Sequence, residues 1–185
     1  MIKVIAFDLI GVLAFEKDIK LINEEAKLER MFGPNISDDE FITSAKNITE
    51  DESFIISMTK NVINKLYVVN NKDIFKKIKK DYSNIQQIIA TNHISYIKEF
   101  INKSFDVNYL DDIIISSEIN KIKPNNDFYQ YILDKFNISP EELLFIDDNQ
   151  ENINSASDMN INTIKINKND NLFEKIICYL ENIEN

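Results

Sequence analysis

Several polar residues whose side chains suit phosphate or cation chemistry follow short apolar runs of the sequence. These residues, each with the preceding run in parentheses, are Asp8 (3–7), Thr91 and Asn92 (88–90), and Asp147 and Asp148 (143–146). Lys121 and Lys123 lie between the apolar runs at 113–115 and 143–146. If the runs are parallel strands, their carboxyl ends meet at one edge of a sheet, and we expect three carboxylates, a hydroxyl and one or two ammonium groups to gather there.

This set of side chains predicts a metal-assisted phosphoryl-transfer site. Carboxylates that crowd together repel each other, and the pKa of one of them rises unless a cation is bound. Mg²⁺ prefers one or two carboxylates together with waters and substrate phosphate, and a lysine beside them neutralises charge and can hold a phosphate oxygen. A carboxylate at the end of a strand can itself attack phosphorus and form an acyl phosphate.

The elements that position these residues follow from apolar runs that alternate with helical periodicity. Near-continuous apolar runs are typical of strands buried on both faces of a sheet, and five are predicted, at 3–7, 88–90, 113–115, 143–146 and 163–166. Segments with helical periodicity lie at 94–103, 125–136, 150–158 and 172–180. This alternation predicts an α/β fold, a Rossmann-like parallel five-stranded sheet with helices on both faces.

The stretch from 17 to 84 interrupts the alternation and predicts a small all-helical cap inserted after the first strand. It contains one apolar helical face stopped at Gly33-Pro34, capping boxes that begin at Ser37 and Thr49, and one short strand signal at 67–69. We therefore expect a core formed by 1–16 and 85–185 and a cap formed by 17–84. Ligands bind at the carboxyl edge of such sheets, so a helical insert at that edge suits a lid.

The composition excludes several classes of protein. With 21 basic and 31 acidic residues and a net charge of −10, the chain repels phosphate backbones, so nucleic-acid and anionic-membrane partners are not expected. The single cysteine, Cys178, excludes a disulfide framework, and we expect it to pack in the core within the last helix. No apolar run approaches the ~20 residues of a membrane span, and the amino terminus lacks the layout of a signal peptide. We expect a cytoplasmic protein.

Four segments together resemble the haloacid dehalogenase (HAD) superfamily. They are FDLIGVL at 7–13, IIATN at 88–92, KPNNDFYQYIL at 123–133 and LLFIDDNQENINSA at 143–156. They occur in the family's order and span almost the whole predicted core. The sequence is most similar to the phosphatases of the superfamily that have a small helical cap, which include sugar-phosphate phosphatases and the phosphatase domain of soluble epoxide hydrolases.

The resemblance implies how a small phosphorylated metabolite would be held and attacked. It implies that Asp8 is the nucleophile and that Thr91 is the phosphate-binding hydroxyl, with the backbone N–H of Asn92 beside it. Lys123 would steady the nucleophile and the transferring phosphoryl group. Lys121 is an alternative to Lys123, but the proline directly after Lys123 fits the family pattern better.

The resemblance also implies a Mg²⁺ site. Asp148, supported by Asp147, would be the metal-binding acid, together with Asp8 and the backbone carbonyl of Ile10. Two adjacent carboxylates beside a third argue for a bound cation, because they would otherwise repel each other.

Ile10 departs from the pattern of the phosphatases, which usually carry a second aspartate two residues after the nucleophile. That aspartate protonates the leaving oxygen and then activates water, and such general acid–base help is typically worth about 10²–10⁴-fold in rate. Three functions therefore stay open: a phosphatase with slow turnover or a good leaving group, a catalytically weak or inactive protein that binds a phosphorylated ligand or a partner, and a metal-free 2-haloacid dehalogenase. Dehalogenases also lack the aspartate, but the pair Asp147 and Asp148 argues against a metal-free site.

His93, the only histidine, is expected in a loop or partly buried.

Overall fold

The computed structural model describes residues 1–33 and 37–184. Its main sheet has five parallel strands in the order β5-β4-β1-β6-β7, and a separate antiparallel pair joins β2 to β3. The strands are β1 (Val4–Phe7), β2 (Ala14–Glu16), β3 (Tyr67–Val69), β4 (Gln86–Thr91), β5 (Asp112–Ile115), β6 (Leu143–Asp147) and β7 (Asn162–Lys165). The five predicted sheet strands are thus confirmed to within two residues at each end.

Helices cover both faces of this sheet. The helices of the described residues are α1 (Asn23–Glu29), α2 (Asp38–Ala45), α3 (Glu52–Leu66), α4 (Ile74–Asp81), α5 (Ile97–Ser104), α6 (Ser116–Ile119), α7 (Asn126–Phe136), α8 (Gln150–Asp158) and α9 (Leu172–Glu184), with short 3₁₀ turns at Val107–Tyr109 and Pro140–Glu142. The α/β fold class predicted from the sequence is confirmed.

The side chains of β1 alternate between two separate apolar cores. Val4 and Ala6 pack with residues of α7 and α8, whereas Ile5 and Phe7 pack with residues of α4, α5 and α9. All four are fully buried, as the near-continuous apolar run predicted. Full burial of a large apolar side chain contributes about 1.5–3 kcal/mol, so β1 is firmly held. The strand therefore fixes the backbone position of Asp8, the residue that follows it.

The segment inserted after β1 and β2 contains α1, α2 and α3. The capping box predicted at Ser37 is confirmed, since Ser37 Oγ accepts from the Glu40 N–H and Glu40 Oε2 accepts from the Ser37 N–H. The box predicted at Thr49 is wrong by two residues: Asp51 caps α3 by accepting from the Phe54 N–H at 3.1 Å, and Thr49 only accepts from the Asp51 N–H. The predicted stop at Gly33-Pro34 falls partly outside the described residues, which omit Pro34.

The insert is helical except for β3, which was predicted, and which pairs with β2, which was not. The next helix, α4, lies against the main sheet, where the Phe75 ring contacts those of Phe7 and Phe105 at centroid distances of 5.4 and 5.3 Å. The predicted division of the chain at residues 17 and 84 stays a prediction.

The last helix, α9, buries Leu172, Ile176 and Leu180 along one face. Cys178 lies on another face and is exposed, so the expectation that it packs in the core is wrong. The helical period explains the difference, because position 178 is half a turn away from the buried stripe. None of the helices within the described residues is long and apolar enough to cross a membrane.

Candidate active site

The carboxyl ends of β1 and β6 bring Asp8 and Asp147 together. Phe7 pairs with Ile146 in the parallel register, and the Asp8 N–H donates to the Ile146 carbonyl at 2.8 Å. The next residue on each strand is therefore an aspartate, at the same level of the sheet. Asp8 is 7% exposed and Asp147 is fully buried.

Lys123 bridges these two carboxylates. Its Nζ donates to Asp8 Oδ1 at 2.7 Å and to Asp147 Oδ2 at 2.8 Å, and the side chain is 1% exposed. Its Nζ also lies 5.5 Å from the centroid of the Phe145 ring, within the range of a cation–π contact. A buried ammonium is favourable only when it is paired and hydrogen-bonded, and Lys123 meets both conditions.

In the triad of Asp8, Lys123 and Asp147, the surroundings of Asp8 and Lys123 shift the pKa values of these two groups. Burial raises the pKa of the Asp8 carboxyl to about 6; the Lys123 ammonium opposes that rise and the Asp147 carboxylate adds to it. Burial alone would lower the pKa of Lys123, but Asp8 and Asp147 together raise it above its usual value. Lys123 therefore stays charged at neutral pH, and Asp8 is ionised above about pH 6.

Both carboxylate oxygens of Asp147 accept hydrogen bonds from protein donors. Its Oδ1 accepts from the Asn149 N–H at 2.8 Å, and its Oδ2 accepts from Asn152 Nδ2 at 3.0 Å as well as from Lys123. Asn152 was missed by the sequence analysis. It lies in the first turn of the predicted helix at 150–158, and its position five residues after Asp147 was the only available signal.

Asp148, in contrast, is exposed, and its carboxylate lies directly over Gly11. A Cβ built on Gly11 would come within 2.3 Å of Asp148 Oδ2, and Gly11 has a φ of +98°, which favours glycine. Desolvation on the protein side, followed by the negative charge of Asp147, raises the pKa of Asp148. Gly11 is one of only two glycines in the sequence, a signal that could have marked the position.

Ile10 and Gly11 belong to a tight turn that leads from β1 to β2. The Ala14 N–H donates to the Leu9 carbonyl at 2.7 Å, and the Gly11 N–H donates to the Ala14 carbonyl at 2.7 Å. The Ile10 side chain is half-buried and packs against the larger apolar core. The turn therefore holds Ile10 two residues from Asp8, where its side chain offers no acid.

Thr91 and Asn92 lie at the carboxyl end of β4, next to β1. Phe7 pairs with Ile89, so Thr91 stands one residue beyond the level of Asp8, and it is 1% exposed. The Asn92 side chain is committed to Lys123: its Nδ2 donates to the Lys123 carbonyl at 2.9 Å, and its Oδ1 accepts from the Lys123 N–H at 3.0 Å. No local pattern in the sequence predicts this contact between residues 31 positions apart.

The positions of Lys121 and His93 show how each of these two candidates relates to the triad. Lys121 Nζ pairs with Asp127 at 3.2 Å on the surface, away from the triad, so it is Lys123 that reaches Asp8. His93 lies in the loop after β4, as predicted, and it is buried, 3% exposed, between the rings of Phe32 and Tyr67.

The three aspartates fit a divalent cation. Asp8, Asp147 and Asp148 each offer one oxygen, and these oxygens lie within 4.8 Å of one another. Three carboxylates and one ammonium leave an excess of negative charge when all are ionised, which a hard divalent cation with oxygen ligands would offset. Of the three, Asp148 has the carboxylate that is least engaged with protein donors.

Comparison with known proteins places the chain in a family. The structure is similar to a predicted HAD-like family hydrolase from Porphyromonas gingivalis (TM-score 0.73, 20% identity, covering 97% of this chain and 98% of that one). It is similar to a HAD family enzyme from Bacteroides thetaiotaomicron in complex with magnesium and inorganic phosphate (TM-score 0.72, 19% identity, 92% and 97%). It is also similar to a predicted phosphoglycolate phosphatase from Haemophilus somnus (TM-score 0.65, 16% identity, 96% and 98%). Because the family model for haloacid dehalogenase-like hydrolases matches residues 5–166, the chain belongs to the haloacid dehalogenase-like hydrolases.

Proposed function

We propose that this protein is a Mg²⁺-dependent phosphatase of a small phosphorylated metabolite that acts through a phospho-Asp8 intermediate. The observation that carries the proposal is the buried bridge of Lys123 between Asp8 and Asp147 at the carboxyl edge of the sheet. Similar structures that include a HAD enzyme with magnesium and phosphate and a predicted phosphoglycolate phosphatase support the same class of reaction.

In the first step, a carboxylate oxygen of Asp8 attacks the phosphorus, and the bond from phosphorus to the leaving oxygen breaks. This step forms an acyl phosphate on Asp8 and an alkoxide that takes a proton from water. In the second step, water attacks the phosphorus and returns Asp8 as a carboxylate, with inorganic phosphate as product. Lys123, which donates to Asp8 Oδ1, leaves the other oxygen for attack and neutralises charge that builds up on the phosphoryl group.

We infer that the cation is held by Asp8 and Asp148, with the backbone carbonyl of Ile10 as a third ligand. Asp147 supports them indirectly, because both of its oxygens already accept hydrogen bonds. When bound, Mg²⁺ orients the substrate phosphate and offsets its charge. On the other side of Asp8, the Thr91 hydroxyl and the Asn92 N–H bind the remaining phosphate oxygens, since the Asn92 side chain is occupied by Lys123.

Among the residues that the structure describes, no evident donor supplies the proton for the leaving group. Ile10 cannot supply one, and His93 is not a substitute, because burial lowers its pKa to about 4 and both ring nitrogens already contact Ile94 and Tyr67. We therefore expect a substrate whose leaving oxygen needs little protonation, or slow turnover on one that does.

The test is Asp8→Asn, assayed with a generic aryl phosphate and Mg²⁺, with Asp158→Asn on the exposed end of α8 as the matched control. Turnover should fall to the rate of the protein-free solution in Asp8→Asn and stay at the parent rate in Asp158→Asn. Unchanged metal-dependent turnover in Asp8→Asn would refute the proposal, and so would release of halide from 2-haloacids in the presence of a chelator.

The side chain of Ile10 favours one second candidate, a protein that binds a phosphorylated ligand without hydrolysing it. A panel of phosphate esters at high protein concentration separates the two functions. Release of phosphate from several esters excludes the second candidate. A rise in melting temperature with an ester, without any release of phosphate, would establish it.

A further inference from the structure

We propose that His93 is a positioning residue that joins the helical insert to the loop carrying Thr91 and Asn92. The inference rests on the proposed function, in which this loop binds phosphate. Its evidence is a set of contacts that converge on residues 93–95 from two sides.

From the sheet side, the main chain of His93 is held by the turn after β5. Ser116 Oγ accepts from the His93 N–H at 3.0 Å and donates to the His93 carbonyl at 3.3 Å, and the Ser117 N–H donates to the same carbonyl at 3.3 Å. Ser116 is 1% exposed. A single buried hydroxyl thus satisfies both backbone groups of one residue, which fixes the loop one residue beyond Asn92.

From the insert side, the imidazole of His93 is held by Tyr67. His93 Nδ1 lies 3.2 Å from the Ile94 carbonyl, which can only accept, so Nδ1 carries the proton. Nε2 is then an acceptor, and the Tyr67 hydroxyl, at 3.4 Å, donates to it. The Phe32 ring, from the turn that follows α1, packs on the imidazole at a centroid distance of 5.4 Å.

A second contact from the insert reaches the same loop. Asp38, the first residue of α2, accepts from the Ser95 N–H at 2.9 Å through its Oδ1. The insert therefore holds residues 93 and 95 by two independent hydrogen bonds. Any displacement of the insert breaks both bonds directly beside Thr91 and Asn92, and the Asn92 side chain in turn fixes the backbone of Lys123.

This arrangement makes the position of the phosphate-binding loop depend on the seating of the insert. Loss of the Tyr67 hydroxyl should loosen residues 92–95 and weaken the hold on the substrate phosphate, while the Asp8–Lys123 bridge stays in place. A typical hydrogen bond corresponds to a change of about three- to tenfold. We expect a rise in KM of that size, with kcat changed less than about twofold.

The experiment compares Tyr67→Phe with Tyr179→Phe, whose hydroxyl donates to Asn162 Oδ1 at 2.7 Å elsewhere in the fold. Amide hydrogen exchange of the His93 and Ser95 N–H groups is the first measurement, and KM and kcat for an aryl phosphate are the second. Both amides should exchange faster in Tyr67→Phe alone, and only that variant should show the raised KM. Equal exchange in the parent and Tyr67→Phe would overturn the inference.

His93→Leu provides a second variant, and the double variant closes a cycle. If Tyr67 acts through His93, Tyr67→Phe should add no further exchange at Ser95 once His93 is leucine. Additive effects would overturn the inference. Absence of phosphate release from every ester would refute the proposed function instead, and the exchange measurements would still decide the role of His93.

Discussion

The carboxyl edge of the sheet has two halves that are held together by different kinds of interaction. On the β1–β6 half, buried charges face one another: Asp8, Lys123 and Asp147 lie within 2.8 Å contacts. On the β4–β5 half, the buried groups are neutral, and Ser116 and His93 hold the loop by ordinary hydrogen bonds. Both halves are equally enclosed, so the difference is one of charge and not of exposure.

We interpret the charged half as the one that reacts and the neutral half as the one that positions other groups. Buried charges are destabilising unless their partners are complete, and we infer that the β1–β6 half keeps them because the reaction needs a nucleophile and a counter-charge. In the proposed function, the β4–β5 half only has to hold a hydroxyl and an N–H group in place, which neutral hydrogen bonds of about 0.5–1.5 kcal/mol each can do. Four substitutions test this division, from the largest expected effect to the smallest.

Lys123→Met should have the largest effect, because it leaves two buried carboxylates facing each other. Removal of one partner from a buried ion pair costs about 3–5 kcal/mol, so the free energy of unfolding in metal-free buffer at pH 8, measured with urea, should fall by that amount. The matched control, Lys121→Met, removes a surface pair with Asp127 and should change it by no more than about 0.5 kcal/mol. Equal losses in the two variants would mean that the Lys123 bridge contributes no more to the free energy of unfolding than a surface ion pair.

Asp8→Asn should stabilise the metal-free protein. The pKa of Asp8 in the fold, about 6, lies above its usual 3.8, so ionised Asp8 destabilises the native state by up to about 3 kcal/mol above pH 6. The advantage of the variant should therefore be full at pH 8 and disappear as the pH falls from 6 towards 4. Thermal unfolding of both proteins across that range is the measurement. A variant that is less stable at pH 8 would contradict the charge argument.

His93→Gln probes the neutral half through pH. Burial lowers the pKa of His93 from 6.5 to about 4, against smaller rises from the hydrogen bond with the Ile94 carbonyl and from the charge of Asp38, so the native state resists protonation that the unfolded chain accepts. Titration of His93 should therefore lower the stability of the parent relative to His93→Gln as the pH falls from 6.5 to 4, by about 2 kcal/mol at pH 5. The glutamine variant should lack this loss, whatever its stability at pH 8. Parallel stability curves for the two proteins would show that His93 does not titrate as described.

Ile10→Asp adds an acid to the charged half and should have the smallest effect. Turnover on esters with poor leaving groups should rise roughly 10-fold or more if the new carboxyl reaches the scissile oxygen, which lowers the barrier by about 1.4 kcal/mol. The gain on an aryl phosphate should be smaller. Ile10→Asn, which matches the shape without the acid, is the control. A uniform loss on both substrates would mean that the packing of Ile10 dominates.

The sequence predicted most of the sheet and the charged half of the site because both depend on local signals. Apolar runs mark buried strands, and the residue after such a run falls at the sheet edge, which is how Asp8 and Asp147 were found. Local capping patterns were also informative: the capping box predicted at Ser37 is present, with Glu40 Oε2 accepting from the Ser37 N–H at 3.0 Å.

Contacts between distant segments could not be predicted in the same way. The hydrogen bonds from Asn92 to the Lys123 backbone join residues that no local pattern connects. The ribbon of β2 and β3 joins three residues at 14–16 to three at 67–69, too short for a periodic signal. At Thr49 and Asp51 two good capping residues compete, and only the three-dimensional start of α3 decides between them.

The close approach of Asp148 to Gly11 has a consequence for how this protein can evolve. Every amino acid that can replace a glycine carries a Cβ, and at Gly11 that atom would lie only 2.3 Å from Asp148 Oδ2 and 2.4 Å from Asp148 Cγ. Substitution of Gly11 is therefore disfavoured as long as the Asp148 carboxylate stays in this position. If Asp148 holds a cation as proposed, both residues have to be retained together, because the carboxylate can stay over position 11 only while that residue is glycine.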